Sequence, residues 1–383
     1  MTHVENRKSY LPKFGSCLAK IAKREWFLAP AYLSSLIFFH FSQRLFADLS
    51  QPIWLATLFL WLIAMIIGSA TNVMRHAEQL ALKLGEPIGT LILTLSITLI
   101  EAFSLTAVIL HGANNPVLVR DTLYSVIMIV MGGMVGTALI VGAIRHREQV
   151  FNLQGANAYL GVIIPLAIFS LVVPGLPLSA PNRSISGPEK LLVGGCAFGL
   201  YIVFLLMQTG RYRGFFNNPK GFRGAKNSRH CCHGNTAWHG FMLIAYLIPI
   251  VFLVEQLALP LDYLVETLGA PPAIGGVVMA LLVTTPEGMT GVQAALENRL
   301  QQAVNIFLGS VLASIGLTVP IMMAVSSAFG FDMVLGLRTD DLVMLILILT
   351  ISIVTFSAPR THILQGAVHL VIFFGFILML FHV

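Results

Sequence analysis

Thr98-Leu-Ile-Glu101-Ala-Phe-Ser104 and Thr284-Thr-Pro-Glu287-Gly-Met-Thr290 are two copies of one pattern, T-x-x-E-x-x-[S/T], each inside a long apolar stretch. Residues three apart share a helix face, so each copy sets one carboxylate between two hydroxyls on a single stripe. A charged side chain at mid-membrane costs about 2.5–3.5 kcal/mol on insertion scales, and packing alone does not offset that. Two such carboxylates in matching settings, far apart in the chain, point to one site built from two related halves.

The composition around these copies is that of a bilayer protein. The chain has 383 residues, of which 56% are hydrophobic and 10% charged, against about 25% charged in soluble domains. Its first 25 residues are polar and basic, so a cleaved signal peptide is not expected. The net charge of +6 sits in loops and not in an aromatic-interleaved basic domain, which argues against nucleic acid as a partner. Cys17, Cys196, Cys231 and Cys232 all fall outside the segments assigned to the exterior, so no disulfide framework is expected.

A spanning helix needs about 20 apolar residues. Eleven stretches qualify: 27–46, 53–73, 89–110, 123–144, 157–174, 191–208, 240–258, 273–296, 304–328, 341–357 and 363–381, the fifth and tenth being short. With the N-terminus inside, only Arg44, Arg120, Arg183, Lys190 and Arg338 of the 23 Lys and Arg residues lie outside. This bias predicts a cytoplasmic N-terminus and a periplasmic C-terminus. Asp48, Asp121, Glu189, Asp262, Glu266, Asp332, Asp340 and Asp341 fall on the outside by the same count.

The second to sixth spans (53–208) and the seventh to eleventh (240–383) each carry the motif in their second helix. Five is odd, so the second set enters the membrane from the opposite side and the halves are inverted repeats. The match continues in the next helix, Gly132-Gly133-x-x-Gly136-Thr137 against Gly309-Ser310-x-x-Ala313-Ser314, where small residues allow close helix approach. The predicted fold is therefore an all-α polytopic membrane protein. A cytoplasmic tail (1–26) and an extra helix (27–46) precede the two five-helix repeats, which a basic cytoplasmic linker (209–239) joins.

Glu101 and Glu287 are read as a cation and proton site near the midplane; the structural alternative is a pair of protonated acids tying helices together. Burial and mutual repulsion disfavour two bare carboxylates, and a divalent ion between them reverses that balance, so ion and proton compete. A hard cation wants more oxygens than two carboxylates supply. Thr98 and Thr284 are the first candidates, with Thr94, Ser104, Thr285 and Thr290 behind them; back-bonding to their own helices is the competing role for each. Pro286 has no N–H, so the Leu282 carbonyl loses its helix partner and becomes either a ligand or the mark of a kink, which Gly275, Gly276, Gly288 and Gly291 would ease. His230-Cys231-Cys232-His233, with His239 nearby, lacks the usual C-x₂₋₄-C spacing and reads as an ordinary basic loop, with a metal sensor as the alternative. His40 and His369 are expected to hydrogen-bond between helices. No H-E-x-x-H, P-loop or G-x-S-x-G pattern occurs, so no enzyme activity and no cofactor are expected.

At these residues the sequence resembles the Ca²⁺/cation antiporter superfamily, and within it the bacterial calcium/sodium–proton antiporters of the ChaA type. The stretch from Gly85 to Glu101, and that from Thr284-Thr-Pro-Glu-Gly to Gly309-Ser310 and Pro320, read as that family's two alpha-repeats. The resemblance implies that Glu101 and Glu287 are the paired carboxylates for cation and proton. It places Gly309-Ser310 in the helix that packs behind the site; Ser314, from the repeat match, is a further supporting candidate one turn on. It implies an inner-membrane antiporter exporting Ca²⁺, with Na⁺ or K⁺ as further candidate cargo, against protons by alternating access. Related cation/proton exchangers carry Gly-Asn shortly before each Glu, where this chain has Ile97-Thr98 and Val283-Thr284, which leaves the choice of ion open. A gated cation channel would use the same oxygens without proton competition, and a membrane hydrolase could use two carboxylates as acid and base.

Overall fold

Long apolar segments in a bilayer must satisfy their backbone polar groups internally, and here they do so as helices. A computed structural model describes residues 24–84, 88–111, 115–176, 184–217 and 235–381. Among these residues the chain forms eleven helical rods, called α1 (Leu28–Leu45), α2 (Pro52–Leu84), α3 (Ile88–His111), α4 (Leu118–His146), α5 (Leu153–Gly175), α6 (Gly187–Thr209), α7 (Thr236–Thr267), α8 (Ala273–Leu296), α9 (Leu300–Phe329), α10 (Thr339–Thr355) and α11 (Ile363–Leu380). Eight of them are long and apolar enough to cross a membrane; α10, with 17 residues, falls short by length. The bundle is an all-α polytopic membrane protein, as its hydropathy predicts.

Local signals set the rod ends. The α6 start carries a capping box in which Ser186 and Glu189 bond reciprocally, with a proline in the first turn. The α9 end is capped by Gly330 at φ 74°, the left-handed conformation glycine adopts without cost. Four rods contain a π-helical turn: Met128–Met134 in α4, Ile168–Val172 in α5, Tyr263–Thr267 in α7 and Ser314–Thr318 in α9. Those of α5 and α7 follow Pro165 and Pro260 by a few residues, where the missing N–H already disturbs the ladder.

Several rods run past their apolar windows. Here α2 continues to Leu84 and not to 73, α4 begins at Leu118 and not at 123, and α7 spans Thr236–Thr267 and not 240–258. Hydropathy sees only the lipid-facing length, whereas a helix continues wherever its flanking charges find partners. Arg120 and Asp121, expected in an outer loop, are buried in the first turn of α4. Arg120 Nε donates to Asp121 Oδ1 at 2.8 Å and Nη1 donates to the Gly336 carbonyl at 3.1 Å.

The rods pack in a reciprocal scheme. α2 lies along α7; α3 packs on α7 and α8 on α2; α4 packs on α11 and α9 on α6; α4 packs on α8 and α9 on α3. Exchanging α2 with α7, α3 with α8, α4 with α9 and α6 with α11 leaves this set of contacts in place. Small residues permit the tightest crossings. A Cβ on Gly136 would stand 3.0 Å from the Gly366 carbonyl oxygen, and one on Gly366 2.8 Å from that of Gly136, so α4 and α11 meet backbone to backbone.

At the end expected to face the cytoplasm, a polar cluster ties the residues before α1 to α2 and α7. Glu25 accepts from Arg75 Nη2, from His76 Nε2 at 3.1 Å and from the Tyr246 hydroxyl at 3.3 Å. His76 Nδ1 and His239 Nδ1 lie 2.9 Å apart, so one carries the proton that the other accepts. His239 is thus buried in α7, not part of the linker loop. Burial pushes the Glu25 carboxyl up, but the His76 hydrogen bond and the Arg75 charge outweigh it and hold the group below its ordinary value of 4.5. A depressed folded value stabilises the fold in full above pH 4.5 and loses that effect as pH falls through the lower value. The thermal stability of wild-type protein in detergent is therefore expected to exceed that of E25Q at pH 7, and the two to converge as the pH is taken below 4.5. A constant gap down to pH 3 would show that Glu25 acts through packing alone.

Candidate cation and proton site

Glu101 lies in α3 and Glu287 in α8, the corresponding rods of the reciprocal scheme. Both are buried, at 1% and 4% exposure. They face α9, whose hydroxyls stand one turn apart at Ser310, Ser314 and Thr318. Ser314 Oγ and Thr318 Oγ1 both donate to Glu101 Oε2, each at 2.8 Å. The Ser310 side chain is within reach of the Glu287 carboxyl, and the two carboxyls are close enough to interact electrostatically. One oxygen of each acid, Glu101 Oε1 and Glu287 Oε2, is buried without a hydrogen-bond partner among the described residues. Buried polar atoms are nearly always paired, so two orphaned carboxylate oxygens in one site mark a place for a ligand.

The other oxygens named by the motif take different positions. Thr98 Oγ1 donates to the Thr94 carbonyl at 3.0 Å, Thr284 Oγ1 to that of Ala280 at 2.7 Å, Thr285 Oγ1 to that of Leu281 at 2.5 Å and Thr290 Oγ1 to that of Pro286 at 3.1 Å. These protons are committed to the threonines' own helices, while the lone pairs stay available. Thr98 and Thr284 are buried, at 1% and 0%. Thr94 faces the Tyr201 hydroxyl on α6. Ser104 is buried with its hydroxyl unpartnered among the described residues. Pro286 does not break α8, which runs unbroken from Ala273 to Leu296; the Leu282 carbonyl sits in a continuous helix. The nearby glycines serve packing: a Cβ on Gly276 would meet the Asp121 backbone at 2.5 Å, one on Gly288 the Met134 side chain and one on Gly291 the Phe307 ring.

Thr318 is the residue of the candidate site that the motif reading missed. Its signal was the row Ser310, Ser314, Thr318 at four-residue spacing, visible only once the hydroxyls of α9 are taken together. His369, as expected, links helices, with Nδ1 on the Met131 carbonyl at 2.6 Å and Nε2 on the Thr355 hydroxyl at 2.9 Å. His40 does not: it is exposed beside Phe39 on the outer face of α1. His230-Cys231-Cys232-His233 lies outside the described residues. Among the described residues no three His, Cys, Asp or Glu side chains converge on a metal position, so an ion at the glutamate pair would draw its further oxygens from hydroxyls or carbonyls. A cavity of about 240 Å³ opens between the ends of α3, α7 and α8, lined by Val108, Asp262, Glu266 and Gly275 among others; its walls include neither Glu101 nor Glu287.

The all-α bundle of long apolar rods places the molecule among multi-pass membrane proteins, and two buried acids on corresponding helices mark its candidate site. Residues 54–210 and 238–382 match the sodium/calcium exchanger protein family, and the chain belongs to that family, in its cation/proton exchanger branch of the ChaA type. It is 40% identical over 316 residues to the putative ionic transporter y4hA of Sinorhizobium fredii, covering 82% of this chain and 86% of the relative. It is 37% identical over 335 residues to the sodium-potassium/proton antiporter ChaA of Escherichia coli, covering 86% and 90%. The solved structure of YfkE shares the fold at 19% identity with a TM-score of 0.68, covering 93% of this chain and 99% of that one.

Proposed function

We propose that the chain is a cation/proton antiporter that exports a metal cation, Ca²⁺ with Na⁺ or K⁺ as further cargo, from the cytoplasm in exchange for protons. The observation that carries the reading is the pair of buried carboxylates on α3 and α8, each with one oxygen unpartnered among the described residues. The Escherichia coli relative, named a sodium-potassium/proton antiporter, supports the class, and a Bacillus subtilis relative at 22% identity is named a Ca(2+)/H(+) antiporter.

The cation is the cargo, held by Glu101 Oε1 and Glu287 Oε2, with the lone pairs of Thr98 and Thr284 completing its oxygen shell. Ionised together and empty, the pair would set two like charges against each other in a low dielectric. It therefore holds either an ion or protons, never neither, and that exclusion couples the two flows. The halves are inverted repeats, and rocking α2 and α7 with their flanking bundles exposes the pair to one side and then the other. The basic N-terminal region sets the N-terminus in the cytoplasm and the C-terminus in the periplasm, so a proton gradient across the inner membrane drives export.

The test is the purified protein in proteoliposomes with an internal pH dye, challenged in turn with Ca²⁺, Na⁺ and K⁺. At least one cation is expected to drive proton movement in the opposite direction. Cation uptake without any proton movement would reveal a channel instead.

A further inference from the structure

A π-helical turn is rare and occurs mostly at functional sites, because it gives up regular hydrogen bonding to re-aim side chains. The one in α9 begins at Ser314 and ends at Thr318, the two residues whose hydroxyls converge on a single atom, Glu101 Oε2, at 2.8 Å each. Thr318 is fully buried and Ser314 is 4% exposed, so neither hydroxyl has water to prefer. Two donors on one oxygen fix the carboxyl plane and leave Oε1, which has no partner among the described residues, as the atom presented to a ligand.

Among the described residues the other half has no such clamp. Alignment of Gly132-Gly133-x-x-Gly136-Thr137 with Gly309-Ser310-x-x-Ala313-Ser314 sets Thr137 against Ser314, and Val141 against Thr318. Thr137 Oγ1 donates to the Gly133 carbonyl of its own helix at 2.7 Å, and valine has no donor. The hydroxyl that Glu287 faces, Ser310, also comes from α9. Among the described residues one helix thus supplies the side-chain donors of both acids, two hydroxyls to Glu101 and one to Glu287.

We propose that Thr318 is a positioning residue which, with Ser314, holds Glu101 as the stationary cation ligand and leaves Glu287 the less constrained carboxylate of the pair. This rests on the glutamate-pair reading above. A ligand already fixed in its binding geometry loses less freedom when the ion arrives, so the clamp acts on affinity.

The test compares T318V, which keeps the volume and removes the hydroxyl, with T318S, which keeps the hydroxyl, by cation-driven proton flux in proteoliposomes. T318V is expected to raise the KM for the cation about tenfold, the scale of one hydrogen bond to a charged group, with the maximal rate held within about twofold. T318S is expected to stay near wild type, and T137V to leave KM unchanged. An unchanged KM in T318V overturns the clamp; if E101Q abolishes exchange in the same assay, the glutamate pair still stands. Normal exchange by E101Q removes the pair itself. An equal loss in T318V and T318S marks a packing role and also overturns the proposal. Should T318V not reach the membrane, T318A against T318S reads the same KM split.

Discussion

E101Q and E287Q are each expected to abolish cation-driven proton flux while leaving the protein folded. Glutamine keeps the size of the side chain and can still accept from Ser314 and Thr318, so the packing of α3 on α9 survives. It cannot carry a negative charge, and it cannot take up and release a proton in this range. Removing one partner from a buried charged arrangement costs roughly 3–5 kcal/mol, equal to about two to four orders of magnitude in affinity. Flux should therefore fall to the background of empty liposomes at any practical cation concentration. E101D should be nearly as damaging for a different reason, since a side chain one methylene shorter withdraws its carboxyl from the two α9 hydroxyls. Near-normal flux in both glutamine variants would show that the acids serve only to tie helices.

The second large effect lies at a helix crossing. A Cβ on Gly276 would stand 2.5 Å from the backbone carbon of Asp121 and 2.7 Å from the amide nitrogen of Thr122, whereas one on the adjacent Gly275 would meet only Leu118 Cδ1, at 3.4 Å. Backbone cannot turn aside as a flexible side chain can, so G276A must push α8 away from α4. Overpacking of this kind costs about 1–3 kcal/mol or more, and here it would also shift the helix that carries Glu287. G276V should fail to accumulate as folded protein, G276A should melt well below wild type in detergent, and G275A should match wild type. Equal melting temperatures for G275A and G276A would show that the crossing is slack.

The same contrast explains what was legible in the sequence. The eleven rods and the two glutamates follow from length, hydropathy and repetition, which are local properties. The reach of α2 to Leu84 and the entry of Arg120 and Asp121 into α4 depend on partners such as the Gly336 carbonyl, far along the chain. Thr318 was hidden because a lone threonine in an apolar helix ordinarily bonds its own backbone, as Thr98 and Thr284 do. Its true partner, Glu101, is 217 positions away. His239 read as loop because its cationic and polar neighbours mask a helix that the His76 contact stabilises. His40 read as an interhelical bonder because intramembrane polar groups usually are; in the structure its side chain is exposed on α1.

Between α4 and α5 the chain forms a short antiparallel ribbon with the turn between α10 and α11, Gln149 paired with Thr361 and Val150 with Arg360. Gln149 reaches further, its Nε2 donating to the Ala295 carbonyl at 2.8 Å and to Asn298 Oδ1 at 3.1 Å, while His146 Nε2 meets the Leu296 carbonyl at 2.8 Å. Three connections at one corner are thereby welded into a single plate. Spectroscopic probes placed in pairs within that corner would report a constant separation through every transport cycle. Under the proposed rocking of α2 and α7, a probe there paired with one on either helix is the combination that would register the movement.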